Sequence, residues 1–178
     1  MLIITEGFAT YGGLSGRDME AIAIGLDEVF NPGYLSYRIK STEYLGDKIS
    51  VLELPIMHPV VGHAVYIDSR KKYDHIPIHV YPGQALVCEL YKRSGIRSVE
   101  ASSVMFGKYD ENRKLIPASN DLVRLAIPRR TYTQRHIEYV IEVFEQLMKE
   151  LKEVNGYNIT YELEFLRHFT ARFEPVSK

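Results

Sequence analysis

Between Gln134 and Val154 the apolar residues Ile137, Val140, Ile141, Phe144, Leu147, Met148 and Leu151 fall three and four positions apart, with charged residues between them. That spacing lays them along one stripe of an α-helix, and a stripe of this width has to be buried against another element. Thr133 stands where an N-cap belongs, and Gly156 follows the last apolar position. Just upstream, Leu122–Ile127 alternates: Val123, Leu125 and Ile127 face one way, Leu122, Arg124 and Ala126 the other. A period-two segment running into a period-3.6 segment predicts a helix laid on a sheet.

The rest of the chain extends that pattern. Leu2–Thr5 reads as a short strand and Gly12-Gly13 as a turn, with Ser15 capping a helix over roughly Arg17–Phe30. Asn31-Pro32-Gly33 breaks or kinks it, and a second helix restarts near Tyr34 with Leu35, Ile39 and Ile49 on its apolar side. Leu54–Met57 and Ala64–Asp68 read as strands, and polar Ser69–Tyr81 as a surface loop. Pro82 begins a helix that Gly95 ends. Ile96–Phe106 is strand-like, Asp110–Arg113 is a turn, and Asn158–Leu163 and Leu166–Phe173 are further strands. Strands close together in sequence between helices predict an α/β (α+β) fold, helices packed on a largely antiparallel sheet. The natural boundary lies near residue 50, with a linking piece before it and a compact domain from about Val51 to Phe173.

With 178 residues and 46% apolar content, the chain can build one sizeable core. Its net charge of −1 carries no basic block, which argues against nucleic-acid and membrane-surface partners. Cys88 is the sole cysteine, no apolar stretch approaches spanning length, and Leu2-Ile3-Ile4 is too short for a secretory h-region. These features predict a cytoplasmic protein.

Few residues carry chemistry on their own. Arg124 sits mid-strand in an apolar run, so it either reaches solvent on a half-exposed sheet or meets an anion; unpaired burial would cost several kcal/mol. An anion there would be held as a carboxylate in a two-pronged grip. On an extended segment His168 shares a face with Leu166, Thr170 and Arg172, and Phe169 points opposite with Arg167 and Ala171. His75 and His79 have Pro77 between them and do not share a helix face, so no metal site is expected. The stretch TYGGLSGRD is glycine-rich before a helix but has neither the Lys-Ser/Thr ending of a P-loop nor dinucleotide-binding spacing.

Five segments, EGFATYGGLSGRDMEAIAIGL, GHAVYID, PGQALVCELYKRSGIRSVE, LVRLAIPRRTYTQRH and LRHFTARF, resemble in order the later part of the tryptophanase and tyrosine phenol-lyase family of β-eliminating lyases. The resemblance implies the fold-type-I architecture of pyridoxal-phosphate enzymes: residues 1–50 as the end of the large domain with connecting helices, residues 51–178 as the small C-terminal domain. It implies that Arg124 binds the α-carboxylate of an amino acid. His168 matches a histidine of the tryptophanase version of LRHFTA, where the phenol-lyase version has Phe, and Phe169 is its pocket neighbour. Ala101 stands where the phenol-lyase carries an arginine that meets the phenol ring, so the likeness is closer to tryptophanase.

The implied reaction converts L-tryptophan to indole, pyruvate and ammonia, with pyridoxal 5'-phosphate as cofactor. In the family its lysine lies upstream of the Glu6 segment. Lys71 and Lys72, in Ser69-Arg70-Lys71-Lys72, imitate the lysine motif but fall downstream of that segment, and they read as a solvated loop. A complementary N-terminal chain would then supply the cofactor domain, and a homo-oligomer is expected. The alternative is a stand-alone domain or relic, acting in amino-acid binding or dimerisation. Two departures stand out: Val61 replaces a usual Gly, and Asn31-Pro32-Gly33 interrupts a normally helical stretch.

Overall fold

The computed structural model describes residues 15–176. The expected strand Leu2–Thr5 and the glycine-rich turn before Ser15 lie outside them. By contacts the chain divides into two compact units, up to Tyr37 and from Arg38 onward.

In the first unit, helix α1 (Gly16–Val29) starts at Ser15, whose hydroxyl accepts from the Asp18 amide at 3.4 Å. None of its residues is buried: Met19, Ile22, Ile24 and Leu26 are all exposed. Helix α2 (Pro32–Val51) begins directly at Pro32, whose missing N–H suits a first turn, and the Asn31 side chain accepts from the Tyr34 amide at 3.1 Å. The division between the units falls within α2.

The second unit is built on a three-stranded antiparallel sheet in the order β1 (Ala64–Asp68), β5 (Leu122–Ala126), β2 (Val99–Ala101). Val65, Ile67, Val123 and Leu125 form its buried face. The core they enter is completed by Leu45 and Ile49 of α2, by Ala85, Leu86 and Leu90 of helix α4 (Pro82–Ser94), and by Ile137, Ile141, Phe144 and Leu147 of helix α6 (Gln134–Lys149). The apolar stripe of α6 is thus spent on the sheet, as its period requires. Gly95 closes α4 in the left-handed conformation (φ 74°). Two small hairpins flank this layer: β3 (Lys108–Tyr109) with β4 (Leu115–Ile116), and β6 (Tyr157–Tyr161) with β7 (Arg172–Pro175).

Several expectations are corrected. The strand Leu54–Met57 reduces to one isolated bridge, Ile56 to Ile67. The segment read as a surface loop holds a short helix α3 (Ser69–Lys72) and buries Tyr73, Ile76 and Tyr81, because its few apolar side chains turn inward while its charges stay out. Ile96–Phe106 divides into β2 and a one-turn helix α5 (Ser103–Phe106). Most consequential, Leu166–Phe173 is not one strand. Leu166 takes a left-handed backbone (φ 57°), Arg167–Thr170 forms a helical turn α7, and only Arg172–Pro175 is extended. The opposite strand faces expected for His168 and Phe169 therefore do not exist.

Candidate functional site

Directly opposed residues of an antiparallel pair project to the same side. Arg124 stands opposite Tyr66 of β1 and Val99 of β2, so these three side chains share the face of the sheet turned away from the core. Leu122 and Ala101 form the next rung of that face. Arg124 is half-buried, and its Nε is fully shielded from solvent with no hydrogen-bond partner. No carboxylate among the described residues lies within ion-pair distance of its guanidinium. The acid on that next rung, Asp68, is already engaged with Lys71 at 3.1 Å. A shielded donor without an acceptor costs free energy that an incoming anion would recover, most fully a planar carboxylate matching the guanidinium fork.

Beside this face opens a cavity of about 440 Å³, lined by Ala101, Phe106, Ile116 and Leu122 with Lys108 and Asn120. It combines an apolar floor with a few polar groups, the usual make-up of a small-molecule site. A second cavity, of about 340 Å³, lies between the end of α4 and the start of α6, lined by Ile96, Leu125, Ile137 and Val140 with His136. Arg124, His168 and Phe169 are not among its lining residues.

His168 and Phe169 sit together on α7, ring centroids 3.9 Å apart and tilted 43°. No hydrogen bond or ion pair among the described residues joins them to Arg124. Their neighbour Arg167, on an extended segment only one more strand residue, is tied into the fold. Its Nε donates to the Val104 carbonyl at 2.8 Å, and its Nη2 donates to the Ser103 carbonyl at 2.7 Å and to the Gly107 carbonyl. The guanidinium also lies 5.2 Å over the Tyr109 ring. Only the partner carbonyls, distant in sequence, would have revealed this role. Phe106 and Lys108 were missed for the same reason.

Behind the sheet lies a buried acidic pair. Asp121 is 1% exposed with both carboxylate oxygens unpartnered, and Glu100 is 6% exposed. One Glu100 oxygen accepts from the Val104 amide at 2.9 Å and from the Ser102 hydroxyl; the other has no partner. Burial pushes both acids above the usual carboxylate range, for Glu100 against the pull of the Ser102 hydroxyl it accepts from. Gly83 is required beside them: a Cβ there would stand 2.6 Å from Asp121 Oδ1.

A pyridoxal-phosphate site needs a lysine beside the cofactor and an acid for its ring nitrogen. None of the described lysines is buried. Lys71 pairs with Asp68, and Lys72 donates to the Glu53 carbonyl at 3.0 Å. No described lysine thus stands as a buried imine anchor, while the shielded Nε of Arg124 has no acceptor within the fold. No described helix is long and apolar enough to cross a membrane.

The family model described as beta-eliminating lyase matches residues 14–143. A tryptophanase from Salinibacter ruber is 54% identical over 174 residues, covering 98% of this chain and 37% of its own length. A tryptophanase from Rhodobacter capsulatus is 49% identical, covering 98% of this chain and 38% of its own. One from Escherichia coli O157:H7 is 42% identical, covering 99% and 37%. The chain thus spans a little over a third of the length of these curated relatives.

Proposed function

Because this chain belongs to the β-eliminating lyase family, we propose that it is the substrate-binding, C-terminal portion of a tryptophanase-type enzyme. In this reading residues 51–178 are the small domain and residues 1–50 the end of the large domain with its connecting helices. The family implies pyridoxal-phosphate dependence. The lysine and the cofactor's other contacts would come from a portion outside residues 15–176, in this polypeptide or another. The overall conversion would be L-tryptophan to indole, pyruvate and ammonia, in an assembly of more than one chain.

The observation that carries the proposal is the unpartnered, shielded Nε of Arg124 on the outer face of the sheet, next to the Ala101–Leu122 rung of the cavity. Arg124 would grip the α-carboxylate in a two-pronged bond and so fix the orientation of the amino acid, the step on which alignment of its reacting bonds depends. Ala101 leaves room where a bulky cation would exclude an indole ring, and the His168–Phe169 pair would serve the ring end. Calorimetric titration with L-tryptophan and with tryptamine, which lacks the carboxylate, tests this. The chain is expected to prefer tryptophan by about tenfold or more, as a charge-assisted pair implies, and Arg124→Met to erase the preference. Equal affinities in the unaltered chain would remove the basis of the proposal.

A further inference from the structure

We propose that Arg167 is a positioning residue for the ring end of this site, fastening the turn that bears His168 and Phe169 to the Phe106–Lys108 wall of the cavity. The inference rests on the reading of that cavity and Arg124 as a substrate site. Helix α5 is a single turn whose Ser103 carbonyl accepts the Gly107 amide at 3.1 Å, and the Arg167 side chain, 11% exposed, donates in addition to the carbonyls of Ser103, Val104 and Gly107. The fastened segments approach closely: a Cβ on Gly107 would lie 3.2 Å from Arg167 Nη2. Each of the two fastened segments carries an exposed phenylalanine, Phe106 at 61% and Phe169 at 64%. Neither ring is held by burial, so the place of each is set by the backbone that Arg167 ties down. A clamp between two exposed rings beside a cavity suits recognition of a flat aromatic ligand.

The test uses the full chain labelled with fluorophenylalanine, the Phe106 and Phe169 signals being assigned from Phe106→Leu and Phe169→Leu. Indole, a ring with no carboxylate, is titrated and followed by fluorine NMR. Both signals are expected to move with one Kd. In Arg167→Met the Phe169 signal stops responding and the Kd rises about tenfold. Glu162→Gln, which removes only the 3.6 Å ion pair to Arg167, leaves the response unchanged. Should Arg167→Met fail to fold by circular dichroism, Tyr109→Leu, which strips the ring beneath the guanidinium and leaves its carbonyl bonds, is expected to weaken indole binding two- to threefold. A Phe169 signal indifferent to indole in the unaltered chain, or a response that survives these substitutions, overturns the inference. Failure of the carboxylate reading looks different: tryptophan and tryptamine would bind alike while indole still moved both rings.

Discussion

Arg124 and Arg167 are both half-buried, yet the protein treats them in opposite ways. Arg167 donates to three backbone carbonyls and rests on an aromatic ring. Arg124 is shielded on a strand with its Nε answering to nothing. The first is a fastener, its hydrogen-bonding capacity consumed within the fold. The second keeps its capacity unspent, and in the proposed function it is the seat for a carboxylate. A guanidinium reveals its role by where its donors end, and burial alone does not distinguish the two.

Removing the fastener should cost most. Arg167→Met is expected to lose roughly 2–4 kcal/mol of stability, because three charge-assisted carbonyl bonds vanish and their acceptors, on buried Ser103 and Val104 and half-buried Gly107, stay shielded. Urea unfolding measures this, and an unchanged midpoint would break the contrast. Next comes a group that resembles the seat in being unpartnered: Asp121. Its folded-state pKa is raised by burial, so the native state holds the proton more tightly than the unfolded chain. Stability is therefore fullest in acid and falls as pH rises through the native value, in a window that opens above about 4. Asp121→Asn should flatten that dependence and add about 1 kcal/mol at pH 7.5, read from thermal melts across pH.

Emptying the seat should barely register in stability. Arg124→Met is expected to change unfolding by less than about 0.5 kcal/mol, since no bond within the fold is lost, while it abolishes the preference for tryptophan over tryptamine. A large destabilisation would mean that Arg124 is a second fastener. The smallest effect belongs to Lys71→Ala, whose exposed pair with Asp68 contributes about 0–0.5 kcal/mol. A loss of indole or tryptophan binding in that variant would show that the outer sheet face depends on more than Arg124.

The parts legible in sequence were those with a strong period. The stripe on Ile137, Ile141, Phe144 and Leu147 announced α6, and the alternation at Leu122–Ile127 placed Arg124 on the face opposite Val123 and Leu125, where it is found. The parts that were not legible have partners far away in the chain. Leu166–Phe173 looks extended residue by residue, yet Arg167 is drawn to carbonyls some 60 positions earlier, and the backbone turns at Leu166 to reach them. Tyr73 and Tyr81 sit among charges and prolines in sequence, and they are buried because neighbouring elements close over them. The acidic pair was invisible for a simpler reason: Glu100 and Asp121 meet only when β2 and β5 pair.

The sequence alone determined the type of layer, a helix stripe on an alternating strand, and which side of that strand Arg124 occupies, because both follow from backbone geometry within a few residues. Tertiary structure alone decided that Arg124 would go unanswered, that Arg167 would be saturated, and that His168 and Phe169 would ride on a turn. Those outcomes depend on which donors and acceptors are brought within about 3 Å of one another across distant segments, and no local rule supplies that distance.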